Sequence, residues 1–193
     1  MDISSDHIEL KKARAKKMML WLGMISMTMT FAGLTSAYVV SSTRSDWLYK
    51  FDLPNAFSIS TFLILLSSLT FYLAKRSLLN KNFKLTKMLI LTTFILAIFF
   101  VNFQFVGFGE IISKGYYFTG AESSITTSFL YVLILLHLVH LFSGIIVLLI
   151  VYYKLQKGRY FGSNVLGFEL AHMFWHFLDL LWIYLYLFVL LYR

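Results

Sequence analysis

The chain has 193 residues, of which 59% are hydrophobic and only 13% are charged. Because a water-soluble domain carries about 25% charged residues, this composition predicts an integral membrane protein. The connections between its apolar segments are short, so we expect no soluble catalytic domain. The sequence contains no cysteine, which excludes disulfides, iron–sulfur clusters and thiolate sites. We interpret its net charge of +8 as a signal of membrane topology and of contact with anionic lipid, not of nucleic-acid binding.

Five apolar segments are each long enough to cross a bilayer, which takes about 20 helical residues. We therefore predict an all-α fold, a polytopic membrane bundle of five transmembrane helices in a single domain, residues 1–193. The first segment follows a basic run but is too long for the apolar part of a signal peptide, so we expect an uncleaved first helix. The predicted helices cover about 18–40, 56–74, 88–108, 127–153 and 167–192.

The basic residues predict the orientation of these helices in the membrane. Thirteen of the seventeen Lys and Arg residues lie in 11–17, 75–87 and 154–159, which all fall on one side of a five-helix chain. Positive loops face the cytoplasm, so we expect the N-terminus in the cytoplasm and the C-terminus outside. The four remaining basic residues are Arg44, Lys50, Lys114 and Arg193.

The first helix carries small residues at spacings of three and four. Small residues on one face allow two helix backbones to approach closely. This face predicts helix packing, either within the chain or with another subunit, and the spacing does not separate the two. The residues are Gly23, Ser26, Thr30, Gly33 and Ala37.

Helices four and five contain ionisable residues at positions that should lie within the bilayer. His137 and His140 share a face of the fourth helix. On the fifth helix, successive residues turn by about 100°, so its four ionisable residues lie within an arc of roughly 80°. Such residues are costly in hydrocarbon and usually functional. The four are Glu169, His172, His176 and Asp179.

Three interpretations of these polar residues compete. Glu169-x-x-His172 has the spacing of a di-iron ligand pair, but the other carboxylates of such a site are missing. A b-type haem could be held by one histidine from each of the two helices. The third interpretation, which we favour, is a hydrogen-bonded structural cluster in which Glu169 pairs with His172 and Asp179 with His176. A proton path is a variant of it. Under it, no residue of the chain is catalytic, cofactor-binding or metal-ligating.

The fifth helix also resembles a known family. Its sequence reads F-E, then W-H-F-x-D-x-x-W-x-x-x-Y, which is similar to the final helix of cytochrome c oxidase subunit III. His137-x-x-His140-x-x-x-Gly144 is similar to that family's fourth-helix pattern, and Gln104 and Glu110 are a weaker match in the third helix. The matching residues of the fifth helix are Phe168, Glu169, Trp175, His176, Phe177, Asp179, Trp182 and Tyr186.

The resemblance implies an accessory subunit of a proton-pumping oxidase in a bacterial inner membrane. Such a subunit binds no haem or copper, packs against catalytic subunit I in a complex that includes subunit II, and supports proton uptake and oxygen access. It also holds structural phospholipids, and the resemblance places Lys154, Lys157 and Arg159 near their head groups. Association with other respiratory complexes stays open. Met27 stands where the family often has a glutamate, so a role that depends on that carboxylate is not carried over.

Two alternatives to this function remain. The first is the equivalent subunit of a quinol oxidase, which differs in the electron donor of the whole complex. The second, from another class, is a stand-alone membrane cytochrome that transfers electrons through its own b-type haem.

Overall fold

The computed structural model describes residues 3–44, 47, 53–120, 124–160 and 165–192. In these ranges the chain forms five α-helices and no strand, and each helix is long and apolar enough to cross a membrane. The all-α prediction is confirmed. The helices are α1 (Ile3–Ser41), α2 (Asn55–Leu79), α3 (Phe83–Ser113), α4 (Ile125–Gln156) and α5 (Leu166–Tyr192).

The helices extend beyond the apolar segments, mostly at their polar ends, because helical hydrogen bonding continues into flanking polar sequence. α4 begins at a capping box in which the Ser124 hydroxyl accepts a hydrogen bond from the Thr127 N–H and the Thr127 hydroxyl accepts one from the Ser124 N–H. A tight turn joins α2 to α3, with Lys81 at φ 57° and the Asn82 side chain accepting a hydrogen bond from the Leu85 N–H.

Four helices form a closed ring, and α1 lies outside it. Around the ring, α2 packs on α3, α3 on α4, α4 on α5, and α5 on α2. Of the other described helices, α1 contacts α4 and α5, and its Tyr38 ring also meets the ring of Trp47, with centroids 4.7 Å apart. Half of the most apolar stretch of α5 is buried, against 17% of the corresponding stretch of α1. α5 is therefore the central helix of the bundle and α1 is peripheral.

Two polar contacts join α1 to α5, one in the N-terminal half of α5 and one in its C-terminal half. The Lys17 ammonium lies 2.9 Å from a Glu169 carboxylate oxygen, and the hydroxyls of Thr35 and Tyr184 lie 2.7 Å apart. The lysine-rich ends of the helices meet on the side of the Lys17–Glu169 ion pair, where Lys16 and Lys154 line one cavity. We call this side the basic end of the bundle. The cytoplasmic orientation of this end stays a prediction.

The small residues of α1 do not pack within the described part of this chain. The buried side chains of α1, which include Met24 and Phe31, face α4 and α5. Most of the small residues lie on the opposite face and are exposed, and a Cβ added at Gly23 or Gly33 would meet nothing within 4 Å. Packing of this face within the chain is therefore not observed among the described residues. Contact with another subunit stays a prediction.

Two glycines of the ring allow close helix contact. A Cβ at Gly107 would lie 2.9 Å from the ring of Phe57, and a Cβ at Gly144 would lie 2.7 Å from Leu178. The Phe57 ring is itself fully buried against Phe108. α3 can therefore approach α2, and α4 can approach α5, only because these positions lack a side chain.

We expect Gly107→Ala to lower the free energy of unfolding by about 1–3 kcal/mol, the usual cost of overpacking a core. The reason is that the new methyl group would overlap the enclosed Phe57 ring. Gly109→Ala is the matched control, since a Cβ at Gly109 would meet nothing within 4 Å. The measurement is equilibrium unfolding in mixed detergent micelles, and equal stability of the two variants would contradict the prediction.

Candidate functional site

α5 is held against α2 by hydrogen bonds between the hydroxyls of α2 and the ring side chains of α5. The sequence pattern indicates the α5 side chains but not their α2 partners. The only available signal was the presence of several Ser and Thr residues in an otherwise apolar helix. The four pairs and their donor–acceptor distances are Ser58–Tyr186 (2.8 Å), Thr61–Trp182 (3.0 Å), Ser67–Trp175 (3.1 Å) and Ser68–His176 (2.5 Å).

The ionisable side chains of α5 are not paired as predicted. Glu169 pairs with Lys17 of α1 instead of His172, and His176 contacts Ser68 and His172 instead of Asp179. Side chains on neighbouring helices compete with those one turn away, and here Lys17 and Ser68 lie closer. The four ionisable side chains of α5 still belong to a polar cluster, but their partners come from three helices.

Asp179 is the most buried of the four ionisable side chains of α5. Its side chain is 2% exposed, and neither carboxyl oxygen has a hydrogen-bond partner with regular geometry among the described residues. The hydroxyl of Ser68 on α2 is hydrogen-bonded to His176. A buried carboxyl group without a cation beside it favours the neutral, protonated form.

The histidines of α4 lie apart from the ionisable side chains of α5. His137 is completely buried, with its ring 5.2 Å from Trp182 and 6.3 Å from Phe100. His140 turns towards α1, where its ring lies 5.7 Å from Phe31 and its Nδ1 lies 2.7 Å from the Leu136 carbonyl oxygen. The six predicted cluster residues therefore form separate groups.

The ligand geometry for a metal site is not found in the described residues, where no three His, Asp or Glu side chains are grouped to hold an ion. Among the described residues the α4 and α5 histidines contact different neighbours: His137 lies against Phe100 and Trp182, and His176 lies against Ser68 and Phe71. The arrangement can orient helices, hold protons and exclude lipid from the helix interface.

The residues of the α5 sequence pattern lie mainly in the interior. Phe168, Trp175, Asp179 and Trp182 are all buried. The Trp182 ring lies 5.0 Å from Phe100. In the third helix, the predicted match Gln104 is fully buried, and its amide donates a hydrogen bond of 2.8 Å to Ser60, a partner that the sequence did not indicate. Glu110 lies partly exposed towards the other end of α3, and Met27 packs against the hydrophobic core.

A second polar feature is a cavity of about 400 Å³ at the basic end. Lys16 of α1, Lys154 of α4 and Arg159 line it together with Tyr160. The Tyr160 hydroxyl is buried and, within the described ranges, has no hydrogen-bond partner; burial raises the pKa of this phenol, which keeps it a proton donor. Lys157 takes a different position, 4.6 Å above the Tyr153 ring. The three predicted head-group residues are therefore not equivalent.

Comparison with protein families gives a match along almost the entire chain. The model of the family described as cytochrome c oxidase subunit III matches residues 5–193. The matched region includes all five helices and both polar features.

Individual relatives include subunits of two oxidase types. A cytochrome bo(3) ubiquinol oxidase subunit 3 from Buchnera aphidicola is 31% identical over 96% of this chain and 90% of its own length. A cytochrome c oxidase subunit 3 from Alkalihalophilus pseudofirmus is 30% identical over 81% of this chain and 73% of its own length. A probable cytochrome c oxidase subunit 3 from Rickettsia felis is 33% identical over 72% of this chain and 48% of its own length.

We expect the Ser67–Trp175 pair to show a favourable coupling of about 0.6 kcal/mol, the average for interhelical hydrogen bonds in membranes. The measurement is a double-mutant cycle with Ser67→Ala and Trp175→Phe, followed by unfolding in mixed micelles. The control cycle combines Trp175→Phe with Thr92→Ala, because the Thr92 hydroxyl bonds only within α3. Equal coupling in both cycles would show that the α2–α5 contact is not specific.

Proposed function

The chain belongs to the cytochrome c oxidase subunit III family, and we propose from this premise that it is an accessory, non-redox subunit of a proton-pumping cytochrome c oxidase in aerobic respiration. The enzyme is the whole complex, which reduces oxygen, and the chain itself is not catalytic. Its partners are oxidase subunits I and II, its location is the bacterial inner membrane, and haem and copper belong to the partner subunits.

The match of the family model to residues 5–193 carries this proposal. The geometry of α5 supports it, because the ring and polar side chains of the sequence pattern are used to pack and orient helices. Trp175 and Trp182 each donate a hydrogen bond to α2, and His176 is held by Ser68. Side chains used in this way stabilise a scaffold and do not offer an open coordination site.

The exposed face of α1 supports contact with subunit I. Its small side chains leave open space where a neighbouring membrane helix can approach closely. The buried face of the same helix is already occupied by α4 and α5. α1 would then lie between the ring of this chain and the catalytic subunit, where it stabilises the complex. The same contact would place the chain beside the paths for proton uptake and oxygen access.

The basic cavity supports the proposal that the chain holds phospholipid. Lys16, Lys154 and Arg159 supply positive charge, and the Tyr160 hydroxyl supplies a hydrogen-bond donor. Cationic side chains at the membrane surface attract anionic head groups, with about 1 kcal/mol for each Lys or Arg. We assign the head-group contact to Lys154 and Arg159, and not to Lys157.

The equivalent subunit of a quinol oxidase is the second candidate, and the high mutual coverage with the Buchnera aphidicola relative favours it. The purified complex decides between the two: oxidation of reduced cytochrome c supports the first candidate, and oxidation of a quinol supports the second. A b-type haem band that stays with the isolated chain would contradict both and support the stand-alone cytochrome.

We expect an oxidase complex that lacks this chain to lose activity during sustained turnover, because an accessory subunit stabilises the catalytic one. The measurement is oxygen consumption over time by the complex with and without the chain. The control is the same deletion strain supplied with the gene again. Full activity maintained without the chain would overturn the accessory role.

We expect the combined variant Lys154→Gln and Arg159→Gln to retain less anionic phospholipid, because it removes two cations from the cavity, each worth about 1 kcal/mol. Lys157→Gln is the matched control, since it removes a nearby charge outside the cavity. Native mass spectrometry after mild detergent extraction counts the retained lipid. Equal retention in all three proteins would contradict the assignment.

A further inference from the structure

We propose that the outer face of α3 binds a second copy of this chain, with the two α3 helices side by side and their Asn102 side chains hydrogen-bonded to each other. This inference goes beyond the accessory role, because it concerns how two complexes associate within the membrane. It would stand whichever electron donor the complex uses.

The outer face of α3 is a line of exposed residues that recur at alternating spacings of three and four. This is the spacing of the contact line between two helices that supercoil around each other. The buried residues of α3, such as Ala97 and Gln104, lie on the opposite side of the helix. The outer face consists of Met88, Leu91, Ile95, Ile98, Asn102, Phe105, Gly109 and Ile112, and each of these residues is exposed.

Asn102 distinguishes this face from a surface that meets only lipid. Apolar side chains at these spacings fit hydrocarbon equally well, but a carboxamide does not. Asn102 lies six residues before Phe108, the last residue of the apolar segment, and is therefore about 9 Å inside that segment at 1.5 Å per residue. From this depth its short side chain cannot reach the membrane surface.

The hydrogen bonds of Asn102 are incomplete among the described residues. Its Nδ2 donates one hydrogen bond, of 2.9 Å, to the Ile98 carbonyl oxygen one turn earlier. A carboxamide has two donor hydrogens and an acceptor oxygen, so one N–H and the Oδ1 remain for a neighbour. Polar groups without partners are costly in hydrocarbon. Asn102 therefore favours a polar partner over lipid at this position.

The exposed Ser143 of α4 shows how a polar side chain can instead be satisfied within its own helix. Its hydroxyl donates a hydrogen bond of 2.6 Å to the His140 carbonyl oxygen. A serine has a single donor hydrogen, so this bond uses the whole donor capacity of the side chain. The same kind of bond to Ile98 uses only half of the donor capacity of Asn102.

A second copy supplies the missing partner by symmetry. The same basic loops orient both copies in the membrane, so a two-fold axis along the membrane normal places each α3 residue opposite its own copy at the same depth. The remaining N–H of one Asn102 then donates to the Oδ1 of the other. Paired Asn residues at such positions fix two parallel helices in register. A helix of a different protein would need a polar side chain at this same depth.

The neighbouring positions on the outer face permit this contact. Gly109 lies one heptad after Asn102, and a Cβ added there would meet nothing within 4 Å. The two backbones can therefore approach closely at Gly109. Towards the other end of the face, Ile95 and Ile98 supply exposed branched side chains that can interdigitate with their copies.

This contact is compatible with the contact proposed between α1 and subunit I. Among the described helices, α3 packs on α2 and α4, whereas α1 packs on α4 and α5. α1 and α3 do not contact each other, so a pair formed through α3 leaves the small-residue face of α1 free. Two complexes can therefore join through this chain while each copy keeps its own catalytic partner.

The absence of cysteine from the chain allows a test by disulfide cross-linking. Ile98→Cys places a single thiol on the outer face of α3, where the two copies meet. Leu65→Cys is the matched control on α2, because the native side chains are similarly exposed, at 41% for Ile98 and 46% for Leu65. The sample is the full chain in its complex in membranes, oxidised with copper phenanthroline and air.

We expect Ile98→Cys to give a cross-linked dimer of the chain in clearly higher yield than Leu65→Cys, because only the first thiol lies opposite its own copy. Equal yields in the two variants would overturn the proposal. A product that joins Ile98→Cys to a different protein, in place of the dimer, would also overturn it.

The contribution of Asn102 is tested by the dissociation constant of the dimer in bilayers. The measurement is energy transfer between donor-labelled and acceptor-labelled complexes over a series of protein-to-lipid ratios. We expect Asn102→Leu to raise the dissociation constant by about tenfold, which corresponds to about 1.4 kcal/mol. Asn102→Gln keeps the carboxamide and should retain most of the affinity, which loss of shape alone would not predict.

Ser143→Leu is the matched control, since it replaces an exposed polar residue of α4 whose donor is already used within its own helix. We expect its dissociation constant to equal that of the unchanged chain. An unchanged constant in Asn102→Leu, an equal increase in Ser143→Leu, or no energy transfer between unchanged complexes would overturn the proposal. Because the readout is association between complexes, its failure is distinct from failure of the accessory role, which is tested by oxygen consumption.

Discussion

Hydrocarbon offers no hydrogen-bond partners, and this constraint organises the whole bundle. The ring nitrogens of Trp175 and Trp182 on α5 would be unsatisfied if they faced lipid. Instead, each finds a hydroxyl on α2, and the same two helices join through Ser68 and His176. Because these bonds lie at several levels along the two helices, a shift of α5 along α2 would break them together. The polar side chains therefore set the register, whereas apolar packing alone would tolerate sliding.

The remaining architecture follows from the position of α5 at the centre. Its large aromatic side chains lie inside the four-helix bundle. Gly144 of α4 has no side chain and so leaves space for Trp175. α1 has no comparable role, since among the described helices it contacts two, α4 and α5, and most of its surface lies outside the ring. The chain is therefore tightly packed on one side and open on the other. This asymmetry is suited to a subunit whose exposed α1 surface becomes buried against other subunits of a larger assembly.

The sequence was sufficient for the fold class and for the family, but not for the contacts of the site. Apolar runs identify membrane helices because the bilayer fixes their length, and the α5 pattern identifies the family through residues of which four, Phe168, Trp175, Asp179 and Trp182, are buried. Periodicity on α5 placed Glu169 and His176 on one face, but it could not name Lys17 and Ser68, because the partners of a side chain on one helix depend on how other helices pack. Lys157 is a different case, because its contact with the Tyr153 ring is an i, i+4 pair at the end of α4, a spacing that can be read from the sequence.

The contacts of α1 also bear on how the protein is made. α1 leaves the ribosome before α4 and α5, yet buried side chains of α1 such as Phe31 pack on those two helices. α2 and α3, which pack closely and are joined by a tight turn, can associate as soon as both have been inserted. The contacts of α1 with α4 and α5 can therefore form only after those two helices have been inserted into the bilayer. The Lys17–Glu169 ion pair then joins α1 to α5, the two described helices that lie farthest apart along the chain.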